Sequence, residues 1–119
     1  MSIPSDYYEL LRDLSERTDK GEVNWKFERL IIELALDEER IAIWAGTDER
    51  TEEGFVSFAL KDKHGETLDT WYLDAGDKDY DFMNRLYLAA KRRALGIPNR
   101  LTRIRESMAK RGIIGDDER

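Results

Sequence analysis

The sequence predicts an α+β fold: an N-terminal helix, a four-stranded antiparallel β-meander and two C-terminal helices. Three observations carry that reading. Apolar residues recur at helical spacing before Gly21, the period falls to 2 between Trp25 and Leu73, and helical spacing returns after Gly76. Turn residues divide the middle segment at intervals suited to short antiparallel strands. At 119 residues the chain is long enough for one modest core and too short for two. A single domain is expected over residues 1–112, with 113–119 a frayed acidic tail.

Pro4 and Ser5 open the first helix, with Ser5 as N-cap, Asp6 and Glu9 near its positive end, and Tyr7, Leu10, Leu11 and Leu14 on its apolar stripe. Gly21 closes it, and Trp25 is expected in the core. The first strand is read over residues 30–36, where Leu30, Ile32, Leu34 and Leu36 share a face, although Leu, Glu and Ala also favour helix. A tight turn at 37–40 leads to a second strand at 41–46, and an acidic loop leads to a third at 55–61. Asp62, Lys63, His64 and Gly65 form a hairpin turn before the fourth strand at 66–73. A long helix begins with Asp77 as its cap, carries Phe82, Met83, Leu86, Tyr87 and Ala90, and ends at Gly96. Pro98 prevents simple continuation. Asn99 then caps a last helix with Leu101, Ile104 and Met108 on one stripe, ended by Gly112.

In the strands, Trp44 and Phe55 alternate with Ile43 and Val56, so apolar groups fall on both faces of the sheet. Either helices cover both sides, or one face stays partly open and meets another chain, for which a homodimer is the commonest solution. Trp44 and Phe55 are therefore the expected interface residues.

Charge is segregated along the chain. Between positions 91 and 111, Lys91, Arg92, Arg93, Arg100, Arg103, Arg105, Lys110 and Arg111 stand against Glu106 alone, a net +7. With −6 for the whole chain, the remainder carries −13. Such a surface steers an anionic partner, or a second copy, to one end. Arg92, Arg93, Arg100, Arg103 and Lys110 are the candidate anion-binding residues on the last two helices. Against nucleic acid stand the acidic isoelectric point of about 4.9 and the absence of interleaved aromatic residues. Cations at 91–93 also suit the negative end of a helix.

Other chemistry has little support. No cysteine is present, which removes disulfides, thiolate metal sites and cysteine nucleophiles and fits a reducing cytosol. No apolar run approaches the roughly twenty residues of a membrane helix, and the first residues do not resemble a signal peptide. A cytoplasmic protein without a membrane partner is expected. Asp74, Asp77, Asp79 and Asp81 alternate like the start of a calcium loop, but Phe82 and Leu88 stand where Gly and Glu are required. They read instead as a helix start. His64 is the only histidine and lies in a turn, and neither Ser57 nor Ser107 lies in a nucleophile elbow. No catalytic residue, metal ligand or cofactor site is assigned, and the reading leans away from an enzyme.

The stretch from Leu11 to Trp25, with Thr18, Gly21 and Trp25 as fixed points, resembles the opening of a family of small uncharacterised bacterial helix, β-meander and helix proteins. The segment Leu86, Tyr87, Leu88, Ala89, Ala90, Lys91, Arg92 and Arg93 is similar to their C-terminal helix. The resemblance covers residues 5–97, leaves out the last helix, and implies no activity, substrate or site. The expected function is that of a small bacterial cytosolic interaction or accessory module, dimeric and without chemistry of its own. Nucleic-acid or nucleotide binding through the basic helices is the alternative. A metal-dependent enzyme using Asp74, Asp77, Asp79 or Asp81 is the third reading.

Overall fold

Pro4, with φ near −54°, leads into one 3₁₀ turn, Ser5–Tyr7, that runs directly into helix α1 (Tyr8–Asp19) in a computed structural model describing residues 2–115. Ser5 lies inside this turn and does not cap the helix: the Tyr7 N–H donates to the Pro4 carbonyl at 2.9 Å. The expected tail residues 113–115 are exposed and outside any helix or strand, and 116–119 lie outside the described residues.

The meander has five strands, β1 (Lys26–Glu28), β2 (Ile31–Ala35), β3 (Glu39–Thr47), β4 (Gly54–Asp62) and β5 (Thr67–Asp74), each antiparallel to the next and in chain order across the sheet. The extra strand β1 corrects the four expected from the sequence. It is three residues long, and its connection to β2 carries none of the usual turn residues. Arg29 and Leu30 make that turn with φ of +52° and +68°, a left-handed conformation that costs a non-glycine residue about 1–2 kcal/mol. Tertiary contacts hold it: the Tyr87 hydroxyl donates to the Leu30 carbonyl at 3.0 Å, and the Lys91 ammonium lies 5.1 Å from the centre of the Phe27 ring. Leu30 is thus an exposed turn residue, and Leu36 is also exposed, so only Ile32 and Leu34 of the expected strand face are buried.

Strand register sorts the side chains cleanly. Phe27, Ile32, Ile43, Phe58 and Trp71 form one row across all five strands on the inner face. Leu34, Ile41 and Leu60 form a second row, and Ala45, Val56 and Leu73 a third. Leu11 and Leu14 of α1 join this core with Met83, Leu86, Tyr87 and Ala90 of α2 (Tyr80–Ala94). At one end Phe58 and Trp71 stack with ring centres 4.9 Å apart, while Tyr7 meets both edge-on at 5.1 and 5.7 Å. The Tyr7 hydroxyl donates to Asp69 Oδ2 at 2.6 Å, whereas the buried indole N–H of Trp71 has no hydrogen-bond partner.

The turn at 62–65 forms as expected. Asp62 Oδ1 accepts the N–H groups of His64 and Glu66 at 2.9 and 3.0 Å, and Gly65 takes φ +87°. Helix α2 starts at Tyr80, three residues after the expected cap, and the nearby carboxylates bond backbone outside the helix. Asp77 Oδ2 accepts the Asp74 N–H at 2.7 Å. Asp79 is buried and accepts the Ile3 N–H at 2.8 Å and the Tyr8 hydroxyl at 3.4 Å, tying the N-terminal segment to α2. Gly96, at φ +65° and ψ +32°, both follows the end of α2 and precedes helix α3 (Ile97–Lys110). The last helix therefore begins before Asn99, with Pro98 in its first turn, where a missing N–H costs no helical bond. Among the described residues no helix is long and apolar enough to cross a membrane.

Burial, and then the bond to Asp69, push the Tyr7 hydroxyl up to about 12 from its usual 10. The group is neutral in the folded state at pH values where the unfolded chain would ionise it. Its contribution is complete below pH 10 and is lost as pH rises through about 12. Alkaline denaturation followed by far-UV circular dichroism is expected to show this loss of stability in the native chain and a smaller one in Tyr7→Phe.

Candidate functional site

Helices α1 and α2 lie on the inner face of the sheet and leave the outer face without a helix. Strand register places Ile31, Trp44, Ser57 and Tyr72 in one row on that outer face, with Glu33, Ala42, Ala59 and Thr70 in the next. Ala42, Ala59 and Ser57 on this face are nonetheless buried. Small residues thus floor the middle of the face, and Ile31, Trp44 and Tyr72 stand around them.

Trp44 and Phe55, the interface residues expected from the sequence, both lie on this face and are half-buried. Phe55 pairs with Gly46 across the strands, and a Cβ at Gly46 would sit 3.0 Å from its ring, so the glycine makes room for the phenyl group. Tyr72 and Ile31 complete the apolar surface, and Tyr72 is 53% exposed. Sequence reasoning missed these two, although the period-2 alternation already sets Tyr72 opposite in sense to Trp71 and Leu73.

Two shallow depressions occupy this face. One of about 420 Å³ lies against β1 and β2, bordered by Lys26, Glu28, Arg29, Glu33 and Arg40. The other, of about 390 Å³, is floored by Phe55, Ser57 and Tyr72 and rimmed by Asp48, Glu53 and Asp74. The second rim belongs to the acidic β3–β4 loop. Asp48 organises that loop, its Oδ1 accepting the Arg50 and Thr51 N–H groups at 2.8 and 3.3 Å. Asp48, Glu49, Glu52 and Glu53 stand against Arg50 alone, and Asp74 brings this end of the face to a net −4.

The basic segment divides into structural and exposed parts. Arg93 donates from Nε to the Thr18 carbonyl at 3.0 Å and from Nη2 to the Asp19 carbonyl at 2.6 Å, satisfying the end of α1. A Cβ on Gly21 would sit 3.2 Å from the same guanidinium. Beside it the Trp25 indole donates to Thr18 Oγ1 at 2.9 Å, and Trp25 is buried as expected. The residues Thr18, Gly21, Trp25 and Arg93, which mark the resemblance described above, therefore meet at one junction with an architectural role. Arg92 and Arg93 share a small cleft of about 210 Å³ with Thr18, Asp19, Ala89 and Pro98. Arg100, Arg103 and Lys110 lie away from it, exposed along α3, and Arg100 Nε donates to the Leu95 carbonyl at 2.8 Å.

The carboxylates at 74–81 do not converge, and no cluster of three or more His, Asp or Glu able to hold a metal ion exists among the described residues. His64 is exposed in its turn.

Arg93→Ala removes two charge-assisted bonds to carbonyl groups and is expected to destabilise the protein by about 1–3 kcal/mol. Arg103→Ala, on exposed α3, is expected to change stability by less than about 0.5 kcal/mol. Urea unfolding of both variants checks the division between structural and exposed cations.

No protein-family model matches this chain, and neither does any curated protein or any solved structure.

Proposed function

We propose that the chain is a non-enzymatic protein-interaction module that binds through the outer face of its sheet. The observation that carries this reading is the uncovered row of Ile31, Trp44 and Tyr72, beside Phe55, in a sheet whose other face carries the core. Flat aromatic and aliphatic surface of this kind is what protein interfaces bury at their centre, with charged residues at the rim. Here the rim is the acidic β3–β4 loop. The reading makes the protein an accessory component, with a protein partner or a second copy of itself, and extends the expected cytoplasmic setting to its place of action.

A second reading, phosphate binding by Arg92, Arg100, Arg103 and Lys110, has its own support in the exposure of all four side chains. It predicts affinity that falls steeply with added salt.

One pair of variants separates the two. Tyr72→Lys, at an exposed position, is expected to abolish retention of a protein partner, a second copy included, by the immobilised chain. It is expected to leave the circular dichroism spectrum unchanged. Arg103→Glu combined with Lys110→Glu tests the other surface against a mixed pool of short DNA and RNA by light scattering at low and high salt. Nucleic-acid binding by the native chain that the double variant loses, together with no effect of Tyr72→Lys on protein capture, would replace the first reading with the second.

A further inference from the structure

Helix α3 is the second uncovered surface of the chain. Every residue from 98 to 110 is exposed, and Leu101, Ile104 and Met108, which share one stripe, are 50%, 54% and 45% exposed. Gly96 turns the chain away from α2, and the main contacts of α3 are with that helix. A helix of 14 residues with an apolar stripe in water is marginal by itself, so its stability calls for a surface to cover the stripe.

We propose that this surface is the outer sheet face of a second copy, the two copies exchanging their C-terminal helices reciprocally. The inference rests on the reading of the sheet face as a protein-binding surface and names its occupant. Charge favours this pairing at the loop end of the face, while the β1–β2 side, with Lys26, Arg29 and Arg40 against Glu28 and Glu33, is close to balanced. Within α3, Arg100, Arg103, Arg105 and Lys110 stand against Glu106 alone, a net +3. The end of the sheet face formed by the β3–β4 loop and Asp74 carries −4. Pairing α3 with α3 would bring two positive helices together, and pairing sheet with sheet would offer the acidic loops no cationic helix. Laying α3 on the sheet sets opposite charges side by side, and Arg100 and Arg105 border the apolar stripe on its two flanks.

Dimensions agree with the charge. A helix of this length extends about 21 Å, close to the width of about 20 Å spanned by five strands. Trp44 and Tyr72, which stand beside the buried Ala42, Ala59 and Ser57, are the groups the stripe would meet. Each copy carries both surfaces, so a two-fold axis makes both contacts at once and leaves neither open for a third copy. Two such contacts bury twice the surface of one.

The test is sedimentation equilibrium of the full chain, alone and as variants checked for native circular dichroism. The native chain is expected at twice its 14.0 kDa mass, with dimerisation weakened by added salt. Ile104→Glu on the helix and Tyr72→Lys on the sheet are each expected to weaken the dimer by about tenfold or more. Mixing these two variants is expected to restore a heterodimer, because one helix-to-sheet contact is then intact.

Loss of the dimer with Tyr72→Lys alone would overturn the exchange in favour of sheet-to-sheet pairing and leave the protein-binding reading standing. Loss with Ile104→Glu alone would overturn it in favour of paired α3 helices. A native chain that is monomeric at all concentrations would also overturn it, and the capture experiment with Tyr72→Lys would then decide the broader reading independently.

Discussion

A sheet has two faces, and this chain has helix enough on its body for one. Five strands spaced about 4.8 Å apart make a surface that two helices of about 10 Å diameter cover side by side. Helices α1 and α2 do so, and they pack on the inner rows from Phe27 to Trp71 and from Ala45 to Leu73. The third helix stands away from the body instead of crossing to the outer face. From that allocation follow the apolar surface around Trp44, the shallow depressions beside it and the exposed stripe on α3.

The packed side depends in turn on joining α1 to α2, and the joint is polar. Arg93 reaches from α2 across 75 positions of sequence to the Thr18 carbonyl, and Thr18 in turn holds the Trp25 indole. At the other end of the same helix pair, Asp79 holds the Ile3 N–H. The two helices are thus fastened at both ends by charge-assisted bonds to backbone groups, which fix direction more strictly than apolar contact does. A basic segment that looks uniform in one dimension is divided by this arrangement. Lys91 and Arg93 serve the fold, and the cations of α3 face solvent.

The α+β class, the antiparallel meander, both C-terminal helices and the turn at 62–65 were legible because each has a strong local signature: a period, a turn glycine or a capping residue. The exposed outer face was legible too, as the alternative to cover on both sides, because Trp44 and Phe55 break the one-sided alternation. Strand β1 was not. Its three residues are too few to show a period, and the Arg29–Leu30 turn is imposed by contacts with Tyr87 and Lys91 that no local window contains. The helix starts were displaced for a related reason. Ser5 and Asp77 have the chemistry of caps, but Pro4 sets the first turn and Asp77 and Asp79 bind distant or preceding backbone instead. Of the candidate site, the cations were easy to enumerate, yet nothing local distinguishes an arginine that closes a helix end from one that faces water.

The turn at Arg29 and Leu30 bears on the order in which the fold assembles. Its left-handed residues disfavour the β1–β2 hairpin in isolation, and the hydroxyl that steadies it belongs to Tyr87, 57 positions away. The β3–β4 loop also holds a left-handed residue, Glu52 at φ +59°, but the bonds that close it, to Asp48 and Glu53, are local, and the β4–β5 turn uses Gly65. Local hairpins are expected to form before contacts of this sequence separation, so β1 is expected to join the sheet once α2 has settled. Until then β2 is an edge strand of Ile31, Ile32, Leu34 and Ala35 with Glu33 as its sole charge. The short strand β1 thus acts as a late-closing guard on a sticky edge, its closure tied to completion of the helical layer rather than to its own sequence.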